Sequence, residues 1–372
     1  MEPTDTLIGM HKNDIDTPAL LLDIATMEQN LKRMSDFFAG KRVKLRPHVK
    51  LYKATPEFAH KQIESGAIGL TCAKLSEAEI LASSGIKDIL IANQVVGAAK
   101  YKRLTNLARH CEIIVAIDSQ ENAEALSQAA QAKEVTIGVL VEVNIGHNRC
   151  GVTPFEPTLE LATSICRMPG LQFRGLMGYD GHCTLKVTEL ERKTLSQKAN
   201  TLLADTRKFV EQAGIAVEIV SGSGTFTYRF ASEINGVTEI QAGTYLLMDT
   251  AFRDHGVREF DCTLSVLTTV ISLPSYPGAG GLAIVDAGRK SISPQLGMPE
   301  VKNPSTARVF SLSDEHGRVI LSDEAEAPQV EDKIELWVRD ANGTINQFDR
   351  FYVIRDDLVE DVWEIPLCGR ST

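Results

Sequence analysis

The chain has 372 residues, a formal net charge of -10 and a hydrophobic fraction of 43%, the balance of an ordinary globular protein. The acidic excess argues against nucleic acid or an anionic membrane as the main partner, and no stretch approaches the roughly 18 apolar residues that a spanning helix needs. Seven widely spread cysteines without a CxxC pair follow an N-terminus that is charged from the start, so the expectation is reduced thiols, no signal peptide and a cytoplasmic location.

The first apolar run, PALLLD (18–23), precedes a helix that Asp23 can cap, and it suits the edge of either of two domains. From about residue 42 to 255, short apolar runs alternate with helical segments. The runs are KLRPHVK (44–50), AIGLTCA (67–73), DILIAN (88–93), EIIVAID (112–118), GVLVEVN (138–144), FRGLMGY (173–179), VEIVSG (217–222) and TEIQAG (238–243). Each is short and rich in β-branched residues without strict alternation, which is how strands buried on both faces read. Between them, Thr55-Pro56 starts a helix, Ser76 with Glu79 and Thr188 with Glu191 form capping boxes, and Gly66, Gly85 and Gly214 end helices. Eight strands alternating with helices predict an α/β fold, a (β/α)8 barrel, with a doubly wound open sheet as the alternative.

After about residue 256 the texture changes to strand-like runs separated by turns such as Asn342-Gly343 and the glycine-rich stretch 277–281, with no long amphipathic helix. This predicts a smaller all-β domain over 256–372 behind a barrel over 18–255, with residues 1–17 packing on the β domain.

In a barrel of this kind the chemistry belongs at the C-terminal ends of the strands. The first run ends in His48-Val49-Lys50, the fifth in Asn144 shortly before Arg149, and the sixth in Tyr179-Asp180-Gly181-His182. The seventh ends in Ser221-Gly222-Ser223-Gly224-Thr225 and the eighth in Gly243-Thr244. The last two turns can offer backbone N–H groups to a phosphate; either alone reads as well as a tight βα turn. Lys50, opposite that cradle, can form a Schiff base with a carbonyl cofactor.

On these residues the chain resembles the D-threonine aldolase and D-serine dehydratase group of fold-type III pyridoxal phosphate enzymes, which share an alanine-racemase barrel followed by a β domain. The resemblance runs from TPALLLD (17–23) to Trp363 and includes RPHVK (46–50), NRCGV (148–152), LMGYDGH (176–182), VSGSGT (220–225), QAGTYLLMD (241–249), VDAG (285–288) and SDEHG (313–317). It implies pyridoxal 5'-phosphate held by Lys50, with Thr225, Gly243 and Thr244 on the phosphate beside Gly222 and Gly224. It places Tyr179 and Arg149 close to the cofactor and His182 beside the substrate's β-hydroxyl, as acid–base group.

The chain departs from the family pattern at three places. The pair that binds a divalent metal in the family falls here on Asp340 and Asn342. Losing an imidazole and a thiolate removes a zinc site. The two oxygens that remain suit weak Mg2+ or Mn2+, or else only turn chemistry. Tyr52 stands two residues after the lysine where histidine is usual, and Phe252 replaces a tyrosine. The resemblance implies a small D-amino acid substrate and a homodimer. The readings in order are aldol cleavage of a D-3-hydroxy amino acid, racemisation, and dehydration. A non-catalytic cofactor carrier would lack the second domain, and a nucleotide enzyme would want a glycine-rich turn where Lys50-Leu51-Tyr52 stands.

Overall fold

Strands buried on both faces must lie inside a shell of helices, and the apolar runs do so. The structure is a computed structural model that describes residues 6–184, 188–277, 280–303, 306–321 and 328–370. By contacts it divides into two compact units, one of residues 34–50 and 54–244, the other of residues up to 33, 51–53 and 245–370.

In chain order the elements begin with β1 (Ala19–Asp23), α1 (Ile24–Phe38), β2 (Lys44–Leu45), α2 (Pro56–Glu64), β3 (Leu70–Cys72), α3 (Leu75–Ser83), β4 (Asp88–Gln94) and α4 (Ala98–Leu107). Then come β5 (Glu112–Ile117), α5 (Gln120–Gln131), β6 (Ile137–Glu142), α6 (Glu156–Cys166), β7 (Leu171–Gly178), α7 (Glu189–Gln212), β8 (Ile219–Gly222), α8 (Tyr228–Ala231) and β9 (Glu239–Ile240). Strands β2 to β9 form an eight-stranded sheet in the order β2-β9-β8-β7-β6-β5-β4-β3, and every pairing in it is parallel. Its two ends meet: His48 bridges Thr71 in parallel, Val49 N donates to Thr71 O at 2.8 Å, and Thr71 N to Pro47 O at 2.9 Å. The sheet is therefore the expected barrel. The run 44–50 is regular strand only at Lys44–Leu45, because Pro47 has no N–H to give.

One interior cluster takes side chains from five strands: Leu90, Ile114, Ala116, Leu140, Met177 and Ile219, all nearly inaccessible. Each full burial of such an aliphatic chain contributes about 1.5–3 kcal/mol. At the other end of the strands the buried Arg46 guanidinium bonds Glu239 at 2.8 Å and Asp88 at 2.5 Å. Gly69 makes room for it, since a Cβ there would lie 2.3 Å from Arg46 Nη1.

The helix signals hold in most places. Asp23 Oδ1 accepts from Thr26 N at 2.9 Å, Pro56 opens α2, and Thr188 with Glu191 forms a reciprocal capping box on α7. Gly66, Gly85 and Gly214 follow helices with φ of 99°, 96° and 86°. The Ser76–Glu79 box is corrected. α3 begins two residues earlier than that box requires, with Lys74 as its cap, and Glu77 takes the backbone N–H groups of Ala73 and Lys74 at 2.6 and 3.2 Å. Glu79 instead pairs with Arg103 at 2.6 Å.

The second unit adds α9 (Thr250–Asp254), β10 (Leu264–Ser272), β11 (Leu282–Val285), β12 (Glu300–Val301), β13 (Ala307–Leu312), β14 (Gly317–Leu321), β15 (Lys333–Trp337), α10 (Ala341–Ile345), β16 (Arg350–Arg355) and β17 (Leu358–Glu364). Its sheet runs β13-β14-β11-β10-β1-β16-β17, with β15 pairing β10 and β12. β1 is thus a central strand here, antiparallel to β10 and parallel to β16. Leu7, Ile15, Ala19, Leu21, Leu267, Ile354, Val359 and Val362 form one apolar cluster. So residues 19–33 and 245–255, expected with the barrel, belong by contacts to the β unit. Of the glycine-rich turn 277–281, residues 278 and 279 lie outside the described residues. No helix among the described residues is long and apolar enough to cross a membrane.

Candidate active site

Lys50 stands just beyond β2, at the start of a 3-10 turn, Lys50–Tyr52. Its side chain is accessible to solvent, yet its ammonium is pushed below the ordinary lysine range, first by burial and then by Arg149, with Glu77 opposing. A depressed amine is the form that attacks a carbonyl. His48 Nδ1 accepts from Lys50 N at 3.3 Å. Burial, Lys50 and Arg149 hold this imidazole far below its usual range, so it is neutral with its proton on Nε2.

The loop after β6 carries Arg149. Val143 bridges Val152, and Asn144 Oδ1 accepts from Gly146 N and Asn148 N, each at 3.1 Å. Asn148 sits at φ 55°, a conformation that asparagine tolerates better than most residues. The loop sets the Arg149 guanidinium 5.4 Å from the centroid of the Tyr179 ring and the His147 ring 5.3 Å from the same ring, edge to face. Burial pushes the Tyr179 phenol up to about 12. One residue on, Asp180 is fully buried and accepts from Ser196 Oγ at 2.8 Å, Asn200 Nδ2 at 3.0 Å and Thr227 Oγ1 at 3.1 Å. Tyr179 is thereby fixed through Asp180 to α7 and to the turn after β8.

His182 follows in a short 3-10 turn, Gly181–Cys183. Its Nδ1 is buried without a hydrogen-bond partner among the described residues. An unsatisfied buried polar atom costs about 1–3 kcal/mol, so a group brought in by a ligand or water is what this position lacks. Together with Asn144, Gly146, Asn148 and Lys198, His182 lines a cavity of about 430 Å3.

Around the expected phosphate cradle, Gly222 and Gly243 serve close approach of backbone. A Cβ would lie 2.0 Å from Gly178 O at the first and 2.2 Å from His48 O at the second. Ser223 has φ 63°, which turns the chain sharply at Gly224. Thr225 is buried, and Thr244 opens the 3-10 turn Thr244–Leu246. Inside, Gln241 Nε2 donates to Ser221 Oγ at 3.0 Å. A depressed, accessible lysine at one strand end and glycine turns at neighbouring strand ends fit pyridoxal phosphate.

Asp340 belongs to the β unit, and it is no surface turn: it is 4% exposed. It caps α10, its Oδ1 accepting from Gly343 N at 3.1 Å and its Oδ2 from Ser293 Oγ at 2.5 Å. Asn342 is exposed. With both Asp340 oxygens committed to protein donors, this pair does not fit a metal, and no metal step is derived from it. Among the described residues, Asp118, Glu142 and Cys150 bring three donor atoms within 4.8 Å of one another. However, Glu142 Oε2 takes Gln94 Nε2 at 2.5 Å and Asp118 Oδ2 takes Gly151 N at 3.0 Å. Burial also pushes the Glu142 carboxyl and the Cys150 thiol up, which opposes metal binding.

Sequence reasoning missed His147, Asp180, Glu77 and Gln241. Asp180 and Gln241 stood within quoted motifs, but their partners come from other segments of the chain; His147 stood just outside one. Only the spacing of two residues between His147 and Arg149 was available as a signal.

Comparison with known proteins shows the family of the chain. Residues 22–251 match the family described as alanine racemase, N-terminal domain, and residues 263–354 match the putative serine dehydratase domain. The chain is 38% identical to a D-threonine aldolase of Arthrobacter sp over 96% of this chain and 94% of that protein. It is 33% identical to a 3-hydroxy-D-aspartate aldolase of Paracoccus denitrificans strain Pd 1222 over 98% and 95%. The crystal structure of D-threonine aldolase from Filomicrobium marinum superposes with a TM-score of 0.93 at 36% identity, covering 98% of each chain. The chain belongs to the D-threonine aldolase and D-serine dehydratase family, with its alanine-racemase-type barrel and serine-dehydratase-type second domain.

Proposed function

We propose that the protein is a pyridoxal-phosphate-dependent lyase that cleaves a D-3-hydroxy amino acid into glycine and an aldehyde. The observation that carries this reading is the depressed, solvent-reachable Lys50 in a chain that matches two aldolases over nearly its whole length.

Lys50 is the amine that holds the cofactor's aldehyde. Gly222, Gly224, Thr225, Gly243 and Thr244 hold its phosphate, and Tyr179 and Arg149 orient its ring. Bound there, the cofactor supplies a sink for the electron pair released at the substrate's Cα. Lys50, with its pKa lowered, serves as proton carrier at Cα. The His182 imidazole takes the β-hydroxyl proton as the Cα–Cβ bond opens. Asp340 and Asn342 are given no catalytic role. A homodimer and a cytoplasmic setting complete the proposal.

The test is one incubation series. Purified holoenzyme meets D-threonine, D-3-hydroxyaspartate, D-serine and D-alanine, and products are separated by chiral chromatography. Glycine with an aldehyde or glyoxylate supports the aldolase. A 2-oxo acid with ammonia makes it a dehydratase, and the L-enantiomer without cleavage makes it a racemase.

A further inference from the structure

We propose that His147 is a second substrate-contacting imidazole of this site, paired with His182 around the oxygen on the substrate's β-carbon. The inference rests on the aldolase reading, because it presumes a substrate with an oxygen there.

Four observations lead to it. First, His147 is displayed rather than draped. Asn144 Oδ1 holds the N–H groups on either side of it, Gly146 and Asn148, each at 3.1 Å, and Asn144 Nδ2 closes the loop on Asn148 Oδ1 at 3.0 Å. Second, its ring is seated against Tyr179 at 5.3 Å and 82°, and Gly181 is the floor under both rings. A Cβ at 181 would lie 2.8 Å from His147 Cε1 and 2.4 Å from Tyr179 Cε1. Third, the ring nitrogens of His147 have no hydrogen-bond partner among the described residues, and His147 is not among those with further contacts. His182 Nδ1 likewise lacks one. Only the His182 nitrogen is buried; the half-exposed His147 nitrogens are open to solvent, so two imidazoles at neighbouring loop ends have hydrogen-bonding capacity to offer a small polar ligand group.

Fourth, the surroundings of His147 favour its neutral form. Arg149 lies on its own loop; Tyr179, Asp180 and His182 face it from the end of β7. Burial, Arg149 and His182 lower its pKa, with Asp180 opposing. A neutral imidazole offers one N–H donor and one acceptor nitrogen. That suits a hydroxyl or carbonyl oxygen, whereas a carboxylate would call for a cation.

The experiment compares two ligands that cannot undergo the cleavage and differ by one atom, O-methyl-D-threonine and D-isoleucine, where CH2 replaces the β-oxygen. Dissociation constants are read from the change in cofactor absorbance of holoenzyme. The wild type should prefer the oxygen ligand, and His147→Phe, which keeps a ring against Tyr179 but no nitrogen, should cut that preference roughly three- to tenfold. His147→Gln retains a donor and should keep more of it. Cofactor affinity and circular dichroism, unchanged in both variants, show that the site stands. An undiminished preference in His147→Phe overturns the proposal. So does a wild type without preference, or an equal loss for both ligands, which would mean that His147 supports only the cofactor. A preference that depends on His147 in a protein that cleaves no 3-hydroxy amino acid leaves this contact in place and refutes the lyase reading instead.

Discussion

The carboxylate of Asp180 accepts a 2.8 Å hydrogen bond from Ser196 Oγ, and this buried contact ties the chain immediately after Tyr179 to helix α7. Asn200 and Thr227 donate to the same carboxylate, so one side chain joins three segments around the site. Asp180→Ala takes this acceptor from the buried Ser196 hydroxyl, whereas Asn200 Nδ2 keeps Ser196 O at 2.9 Å and Thr227 Oγ1 keeps Ser223 Oγ at 2.7 Å. The expected loss is about 3 kcal/mol of stability, read as a lowered denaturant midpoint. Asp180→Asn, which keeps one acceptor oxygen, should lose less.

Gly243→Ala puts a Cβ where His48 O stands, 2.2 Å away. Strands β2 and β9 pair just before this point, so the barrel's end must open. Cofactor affinity should fall at least tenfold, measured by equilibrium dialysis. Gly214→Ala is the control. It has φ 86° but nothing within 4 Å and should cost about 1 kcal/mol with cofactor binding unchanged.

Asp249 gives a pH signature to the β unit. Burial pushes its carboxyl from the usual 3.8 up to about 6, against the backbone N–H groups of Phe252 and Ala341 that it accepts. A folded-state pKa above the unfolded one means that the folded protein holds a proton that the unfolded chain releases. The contribution is therefore full below about pH 4 and is lost as pH rises towards 6, on the order of 3 kcal/mol in all. Asp249→Asn should flatten this part of the curve when unfolding free energies are compared at several pH values. Equal slopes in both proteins would contradict it.

Much of this was legible because it is local. Alternating apolar runs marked the barrel, and Thr188 with Glu191 marked the start of α7. What was not legible depends on partners distant in sequence. PALLLD reads as a buried strand in either unit, and only its pairing with β10 and β16 decides. Asp340-x-Asn342-Gly343 reads as an exposed turn until Ser293, 47 residues away, is seen to donate to Asp340. Ser76 and Glu79 fit a capping box by spacing, but Glu77 fits the real helix start by register.

Asp340 is accordingly a structural cap. Dialysis against EDTA should leave activity intact, and elemental analysis should find no stoichiometric metal. Asp340→Ala should destabilise the protein by about 1–2 kcal/mol through the lost cap and the stranded Ser293 hydroxyl. Activity that collapses on chelation and returns with Mn2+ would contradict this.

The central claim is that Lys50 carries the cofactor, and borohydride tests it most directly. Reduction of the holoenzyme fixes pyridoxal phosphate to whichever amine holds it, and peptide mass mapping then finds the modified residue. The account predicts a single modified lysine, Lys50, with no fixed cofactor in Lys50→Ala. Labelling of another lysine, or an equal label in Lys50→Ala, would contradict it.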